Sequence, residues 1–115
     1  MKRTTTVKEN YEFRRIYAKG WSGVSPYLVV YVRPNRRGRN RLGVTVSTKL
    51  GHAVVRNRVR RRIREIYRLN KAKMLPGYDL IVVPRVRAVE TDYQKLDRTY
   101  LRLLEQLDLL REDPS

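Results

Sequence analysis

Apolar residues recur at helical spacing through the most arginine-rich part of the chain, from about Ala53 to Asn70. At 100° per residue, Val55, Val59, Ile63 and Ile66 fall on one side, while most other positions there are polar or basic. The pattern predicts a helix that packs on a core through one narrow apolar stripe and exposes arginines on both flanks of that stripe.

A shorter helix is predicted near the start of the chain, over residues 7–19. Thr6 and Glu9 have the spacing of a capping box, in which two side chains satisfy each other's backbone N–H groups, and Gly20 ends the helix. The residues predicted to share one face of it are Phe13, Ile16 and Tyr17.

Three strands are predicted from their β-branched and aromatic content, over residues 27–33, 42–47 and 78–83. The first two flank residues 34–40, which are rich in Pro, Asn and Gly, so the pair is predicted to form an antiparallel hairpin. The third strand is almost wholly apolar, which predicts a central position buried on both faces.

Period-two alternation separates the first two strands into two faces. The predicted core face comprises Leu28, Val30, Val32, Leu42, Val44 and Val46. The opposite face comprises Tyr27, Val29, Tyr31, Thr45 and Ser47. Because this second set is aromatic and hydroxylic, it is an unusual set to bury, and it is a candidate surface for stacking unpaired bases.

A last helix begins after Thr91 or Asp92, either of which can cap it. Its apolar stripe is predicted to comprise Leu96, Tyr100, Leu103, Leu104 and Leu107. The resulting order α-β-β-α-β-α predicts an α+β fold, a small α/β sandwich with one mixed sheet packed with helices. At 115 residues the chain is expected to form a single domain, with a basic arm at residues 1–5 and a disordered tail at 112–115.

The formal net charge is +16, and it is unevenly distributed, because residues 90–115 hold seven of the eleven acidic residues. A polyanion would neutralise the basic part of the chain and release its own counterions in doing so. A merely soluble basic surface is the plainer interpretation, although interspersed charges of both signs would serve solubility better.

Two rows of arginine flank the apolar stripe of the arginine-rich helix. Arg56, Arg60 and Arg64 lie on one flank, and Arg58, Arg61 and Arg62 on the other. Only Glu65 offers an opposite charge, so ion pairs within the helix cannot account for the pattern. Planar guanidinium groups suit phosphate oxygens, and the two rows permit contact with two different RNA segments or with two parts of one RNA.

Catalytic chemistry is poorly represented in the sequence. His52 is the only histidine, and there is no cysteine and no glycine-rich phosphate loop, so a histidine pair, a metal triad and a Cys–His arrangement are all excluded. No cofactor and no small-molecule substrate are therefore expected on this chain. No apolar run approaches the length of a membrane span, and no membrane partner is expected.

Residues 49–65 read Lys-Leu-Gly-His-Ala-Val-Val-Arg-Asn-Arg-Val-Arg-Arg-Arg-Ile-Arg-Glu, which resembles the signature of the bacterial ribonuclease P protein subunit. The resemblance rests on the helix that contains the Arg-Asn-Arg motif and on the glycine-containing segment that precedes it. The first helix, with Asn10, Phe13 and Tyr17, and the segments at 27–32, 42–47 and 78–85 also correspond, so nearly the whole chain is covered.

The resemblance implies an α/β sandwich with a left-handed βαβ crossover, in a cytoplasmic protein. It implies binding to the precursor-tRNA 5′ leader and to a catalytic RNA that uses Mg²⁺, which together remove the leader by endonucleolytic cleavage. The leader cleft would comprise Phe13, Tyr17, Val29, Tyr31, Thr45, Arg56, Arg60 and Arg64. Contacts to the catalytic RNA would come from Asn57, Arg58, Arg61, Arg62, Lys2 and Arg3.

Two other classes of nucleic-acid-binding protein fit part of the sequence. A ribosomal or RNA-assembly protein would explain the charge and the clustered arginines equally well, but not the extended motif. A protein that places the arginine helix in a DNA major groove would be expected to mix Asn, Gln and Ser with Arg to discriminate bases.

Overall fold

The computed structural model describes residues 6–112, so the predicted basic arm, with Lys2 and Arg3, and residues 113–115 of the predicted tail lie outside the described residues. Short 3-10 turns lie at Thr48–Leu50, Lys71–Lys73 and Val86–Glu90. The main elements are α1 (Asn10–Lys19), β1 (Trp21–Val24), β2 (Leu28–Pro34), β3 (Arg41–Val44), α2 (Ala53–Asn70), β4 (Tyr78–Pro84) and α3 (Tyr93–Gln106).

The four strands form one mixed sheet in the order β1-β2-β4-β3. β4 pairs antiparallel with β2 and parallel with β3, which confirms its predicted central position. The predicted hairpin of residues 27–33 with 42–47 is wrong, because β4 lies between these two strands. An almost wholly apolar strand gains most where both of its edges are paired and both of its faces are covered.

Strand β1 was not predicted. It has only four residues, and Gly23 interrupts its apolar pattern. It pairs antiparallel with β2 at the sheet edge, and a Cβ at Gly23 would lie 3.3 Å from the Leu103 side chain. The close approach of α3 therefore favours glycine at this position.

Helices cover both faces of the sheet, which confirms the predicted α/β sandwich. On one face, α2 and α3 enclose the larger core, and all five residues predicted for the α3 stripe are buried there. On the other face, α1 packs Ile16 against Val7 and Ile81. The handedness of the β3-α2-β4 crossover stays a prediction from the family resemblance.

The N-terminal boundary of α1 differs from the prediction. The helix begins at Asn10, and its capping box joins Glu9 to Glu12 rather than Thr6 to Glu9. Thr6 instead forms a parallel bridge with Leu42, and the N–H of Val7 donates to the Leu42 carbonyl at 3.0 Å. This extended backbone covers part of the β3 edge, which would otherwise present unpaired groups, and so it cannot be helical.

The predicted core face is confirmed: Leu28, Val30, Val32 and Leu42 are buried, while Val44 and Val46 pack partly buried against them. Tyr27 is an exception, because it packs against this same core rather than lying on the opposite face. Ser25 holds the turn before β2, with its hydroxyl accepting from the N–H groups of Tyr27 and Leu28. The alternation therefore starts only after Tyr27.

Apart from the start of α1, the predicted helix ends are confirmed. The arginine-rich helix α2 spans Ala53–Asn70, and Asp92 caps α3 by accepting from the Lys95 N–H at 2.8 Å. Gly20 ends α1, but with extended backbone rather than a left-handed turn. A Cβ there would lie 2.3 Å from the Val32 carbonyl oxygen, so the close approach of two backbones requires glycine.

Candidate nucleic-acid interface

Two tyrosines and a threonine meet on the sheet face that carries α1. The Tyr17 hydroxyl and the Thr45 hydroxyl are hydrogen-bonded at 2.8 Å. The Tyr17 and Tyr31 rings meet edge to face, with centroids 4.8 Å apart and an interplanar angle of 89°. Tyr17 stays 37% exposed and Tyr31 half-buried, so the pair is held in place while part of its ring surface remains accessible.

Phe13 lies one helical turn before Tyr17 and extends this aromatic surface toward β3. Its ring stands directly over Gly43, where a Cβ would approach two ring carbons to 2.8 Å. A shallow cavity beside it is lined by Phe13, Gly43, Val44 and Arg64, among others. The absence of a side chain at Gly43 is what lets the Phe13 ring approach the sheet this closely.

We expect Gly43→Ala to displace the Phe13 ring and to lower the free energy of unfolding by about 1 kcal/mol, the low end for overpacking, because a ring edge yields more easily than backbone. Urea denaturation of Gly43→Ala, Phe13→Ala and the double variant measures the coupling between the two positions. The cost of Gly43→Ala should largely vanish in the Phe13→Ala background. Equal costs in both backgrounds would contradict the ring placement.

The arginine helix meets this surface through Arg64, which lines the same cavity as Phe13. Arg60 lies one turn earlier, and its guanidinium donates to the Asn57 side-chain oxygen at 2.7 Å. Neither Arg60 nor Arg64 forms an ion pair with a carboxylate within residues 6–112. Their charge therefore remains available beside the aromatic surface.

The other two predicted cleft residues are Val29 and Arg56. Val29 is half-buried on the α1 face of β2, directly opposite Val83 of β4. Arg56 lies two turns before Arg64, about 12 Å along the helix. Its guanidinium donates to the Gly51 carbonyl at 3.2 Å, which ties it to the turn that precedes α2. The structure thus brings together Phe13, Tyr17, Tyr31, Thr45 and Arg64, while Arg56 lies near the start of α2.

Val83 belongs to the same surface and was missed by sequence reasoning. It is half-buried and, like Phe13 and Tyr31, packs against the small core of Val7, Ile16 and Ile81 on the α1 side of the sheet. The run of apolar residues in β4 predicted burial on both faces and gave no sign that one position is left partly open. Only the pairing of Val83 with Val29 locates it.

The outward face of α2 carries the residues predicted to contact a catalytic RNA. Val54, Asn57, Arg60, Arg61 and Arg64 line one shallow groove, so the structure places Arg61 with members of the first row. Arg58 is exposed. Arg62 is half-buried, and its guanidinium donates to the Thr91 carbonyl at 3.1 Å, so it also fastens α2 to the segment before α3.

A buried ion-pair network holds α1 on the sheet. The Arg41 guanidinium makes two hydrogen bonds to the Asp79 carboxylate, at 2.8 and 2.7 Å, and a third contact to Glu12 at 2.7 Å. The Arg41 hydrogen bond lowers the pKa of Glu12. Burial alone would raise the pKa of Asp79, but hydrogen bonds from Arg41 and Asn35 outweigh it and lower that pKa. One arginine thereby joins α1, β3 and β4 next to Phe13.

Residues 6–112 contain no group of three or more histidine and acidic side chains placed to hold a metal ion. None of the helices in this part of the chain is long and apolar enough to cross a membrane. The chemistry that the surface offers is binding: aromatic faces for bases, hydroxyls for hydrogen bonds and guanidinium groups for phosphates.

The fold and this surface together define a small, basic α+β protein of the RNA-binding class. A family model described as Ribonuclease P matches residues 1–108. The ribonuclease P protein component of Natranaerobius thermophilus is 44% identical over 98% of both chains, and that of Clostridioides difficile is 39% identical over 93% of this chain and 95% of its own.

Solved structures agree with these sequence matches. The ribonuclease P protein of Staphylococcus aureus superposes with a TM-score of 0.85 at 34% identity, covering 95% of this chain and all of its own. The Thermotoga maritima protein gives 0.82 at 32% identity, covering 88% of this chain and 96% of its own. The chain belongs to the ribonuclease P protein family.

Proposed function

We propose that this chain is the protein subunit of ribonuclease P, which works with the catalytic RNA to remove the 5′ leader from precursor tRNA. The observation that carries the proposal is the half-open surface of Phe13, Tyr17, Tyr31 and Thr45, with Arg64 beside it. A single-stranded leader needs a surface of this kind, since its unpaired bases can stack and its phosphates need counter-charges.

In the proposed leader cleft, the aromatic rings of Phe13, Tyr17 and Tyr31 stack on leader bases. The Tyr17–Thr45 hydrogen bond and the edge-to-face contact between the tyrosines fix the rings before RNA arrives, which reduces the entropy lost on binding. Arg56, Arg60 and Arg64 bind leader phosphates, and Val29 contributes apolar contact beside Val83. The protein thereby positions the precursor, while the bond-breaking groups belong to the RNA.

The outward arginines of α2 complete the proposal. Asn57, Arg58 and Arg61 bind the catalytic RNA. The N–H groups of Arg62 that are not bound to the Thr91 carbonyl also bind this RNA. Lys2 and Arg3 are assigned to the same RNA from the family resemblance alone. The Mg²⁺ used by the holoenzyme is assigned to the RNA, and the protein is assigned to the cytoplasm.

The test is cleavage of a precursor tRNA by a bacterial ribonuclease P RNA at low Mg²⁺, with and without the protein. We expect the protein to stimulate cleavage strongly at the mature 5′ end. A mature tRNA and an unrelated basic protein serve as controls for specificity and charge. Tight RNA binding without stimulation would overturn the proposal and favour the ribosomal or RNA-assembly alternative.

A further inference from the structure

A second basic recess lies on the α1 side of the sheet, at the strand ends away from the cleft. It encloses about 330 Å³, and its lining includes Arg15, Arg33, Arg36 and Arg37 around the buried Arg41–Asp79 pair. Arg15 projects about 160° around α1 from both Phe13 and Tyr17. The helix therefore separates the recess from the proposed leader cleft.

The recess carries uncompensated positive charge. Among the described residues that line it, the only carboxylates are Glu12 and Asp79, and both are already bound to Arg41 at 2.7 Å. Arg37 approaches Glu12 only to 3.9 Å. Arg15, Arg33 and Arg36 form no ion pair within residues 6–112. Five arginines thus face two acids, an excess of three positive charges.

The loop between β2 and β3 holds two of these arginines, Arg36 and Arg37, in a defined arrangement. The Asn35 side chain donates to the Arg39 carbonyl at 2.9 Å and to Asp79 at 2.8 Å, and it accepts from the Arg37 N–H at 2.8 Å. Arg36 has a φ of 60°, a left-handed conformation that is uncommon outside glycine. Such backbone persists only where the surrounding structure enforces it.

The far end of the same loop is fixed by Asn40, which is buried. Its side chain donates to the Leu75 carbonyl at 3.0 Å and accepts from the Tyr78 N–H at 2.8 Å. The loop is therefore anchored at both ends to the segment that leads into β4. A loop organised in this way loses little backbone freedom when an anion binds.

We propose that this recess is a further RNA site, in addition to the leader cleft and the outward face of α2, and that it binds backbone phosphate through Arg15, Arg33, Arg36 and Arg37. Guanidinium groups bind phosphate oxygens in a bidentate manner, and none of the residues that line the recess is aromatic, so it favours backbone over bases. Arg33 follows Tyr31 on the same face of β2, about 7 Å further along. The phosphate bound in the recess comes either from the part of the leader beyond the cleft or from the catalytic RNA. This inference rests on the proposed function.

The test compares two double variants that remove the same charge. Arg33→Gln/Arg36→Gln empties the recess of two arginines, and Arg98→Gln/Arg102→Gln removes two exposed arginines from α3. A third variant, Arg15→Gln/Arg37→Gln, tests the recess through its other two side chains. Dissociation constants are measured over a salt series for the catalytic RNA and, with the holoenzyme, for precursors with a short and a long leader.

We expect the recess variants to weaken binding about 10-fold or more, as for lost charge-assisted hydrogen bonds. The salt dependence should also fall by about 1.4–1.8 in log–log slope for two lost phosphate contacts. Weakening confined to the long leader identifies leader phosphate, and weakening toward the catalytic RNA identifies that RNA. Recess variants that match the α3 control on every RNA would overturn the proposal.

A Tyr31→Ala variant in the same series separates this inference from the function on which it rests. If Tyr31→Ala weakens leader binding while the recess variants do not, the cleft stands and the recess is rejected. If the recess variants weaken binding while Tyr31→Ala does not, the recess stands and the assignment of the leader to the cleft fails.

Discussion

Asp79→Ala is expected to lower the free energy of unfolding by about 3–5 kcal/mol, the range for breaking a buried ion pair from one side. The substitution leaves Arg41, a residue that is only 7% exposed, without the two hydrogen bonds from its guanidinium to Asp79. Glu12 remains as a partner, so we expect the lower end of the range. Urea denaturation measures the loss.

Glu105→Ala is the matched control, since it removes one exposed carboxylate from α3 and leaves Arg41 untouched. It should change the free energy of unfolding by no more than about 0.5 kcal/mol. If Asp79→Ala cost no more than this control, the Arg41 network would be a consequence of the fold rather than a contributor to its stability.

The same network predicts a loss of stability in acid. The pKa values of Glu12 and Asp79 are both lowered in the folded protein, so the unfolded chain binds more protons than the folded chain as acidity increases. Their stabilisation is fully present above the unfolded pKa values, about 4, and is lost as the pH falls through the folded values. Urea denaturation across this pH range should show a shallower loss for Asp79→Ala than for the unmodified protein.

Tyr31→Ala is expected to weaken binding of leader-bearing precursor by about 1–3 kcal/mol, the contribution of one aromatic–base stack. The Tyr31 ring is held edge to face against Tyr17, so its loss also frees Tyr17 to change rotamer. Binding of mature tRNA, which has no leader, should change little. The measurement is the ratio of the two dissociation constants for the holoenzyme.

Tyr31→Phe is the matched variant for this prediction, because it keeps the ring and removes only the hydroxyl. It should retain most of the preference for leader-bearing precursor, which distinguishes stacking from hydrogen bonding. Equal weakening of precursor and mature tRNA by Tyr31→Ala would show that Tyr31 supports the fold rather than the leader.

The sequence alone determined the elements whose residues interact with near neighbours. The bounds of α2 and the apolar stripe of α3 follow from helical periodicity, and β4 is recognisable as central from its apolar run. The proposed cleft residues Tyr31 and Thr45 were assigned to one face by alternation. The extended Arg-Asn-Arg motif indicated the family.

Tertiary structure decided which strands are neighbours, because alternation specifies the face of a strand but not its partner. Because β4 lies between β2 and β3, these two strands do not form the predicted hairpin, and Asp79 of β4 lies beside Arg41 of β3. The start of α1 also differs from the prediction because of a tertiary contact, since Thr6 pairs with Leu42 at the sheet edge.

The Arg41 network and the arginine recess were likewise invisible in the sequence. Their members come from α1, β2, β3, β4 and the loop at residues 35–40, and no spacing within one segment marks them as a group. Charges and hydrogen bonds act over a few ångströms in space, whatever the distance along the chain, so only the folded arrangement could bring Glu12, Arg41 and Asp79 together.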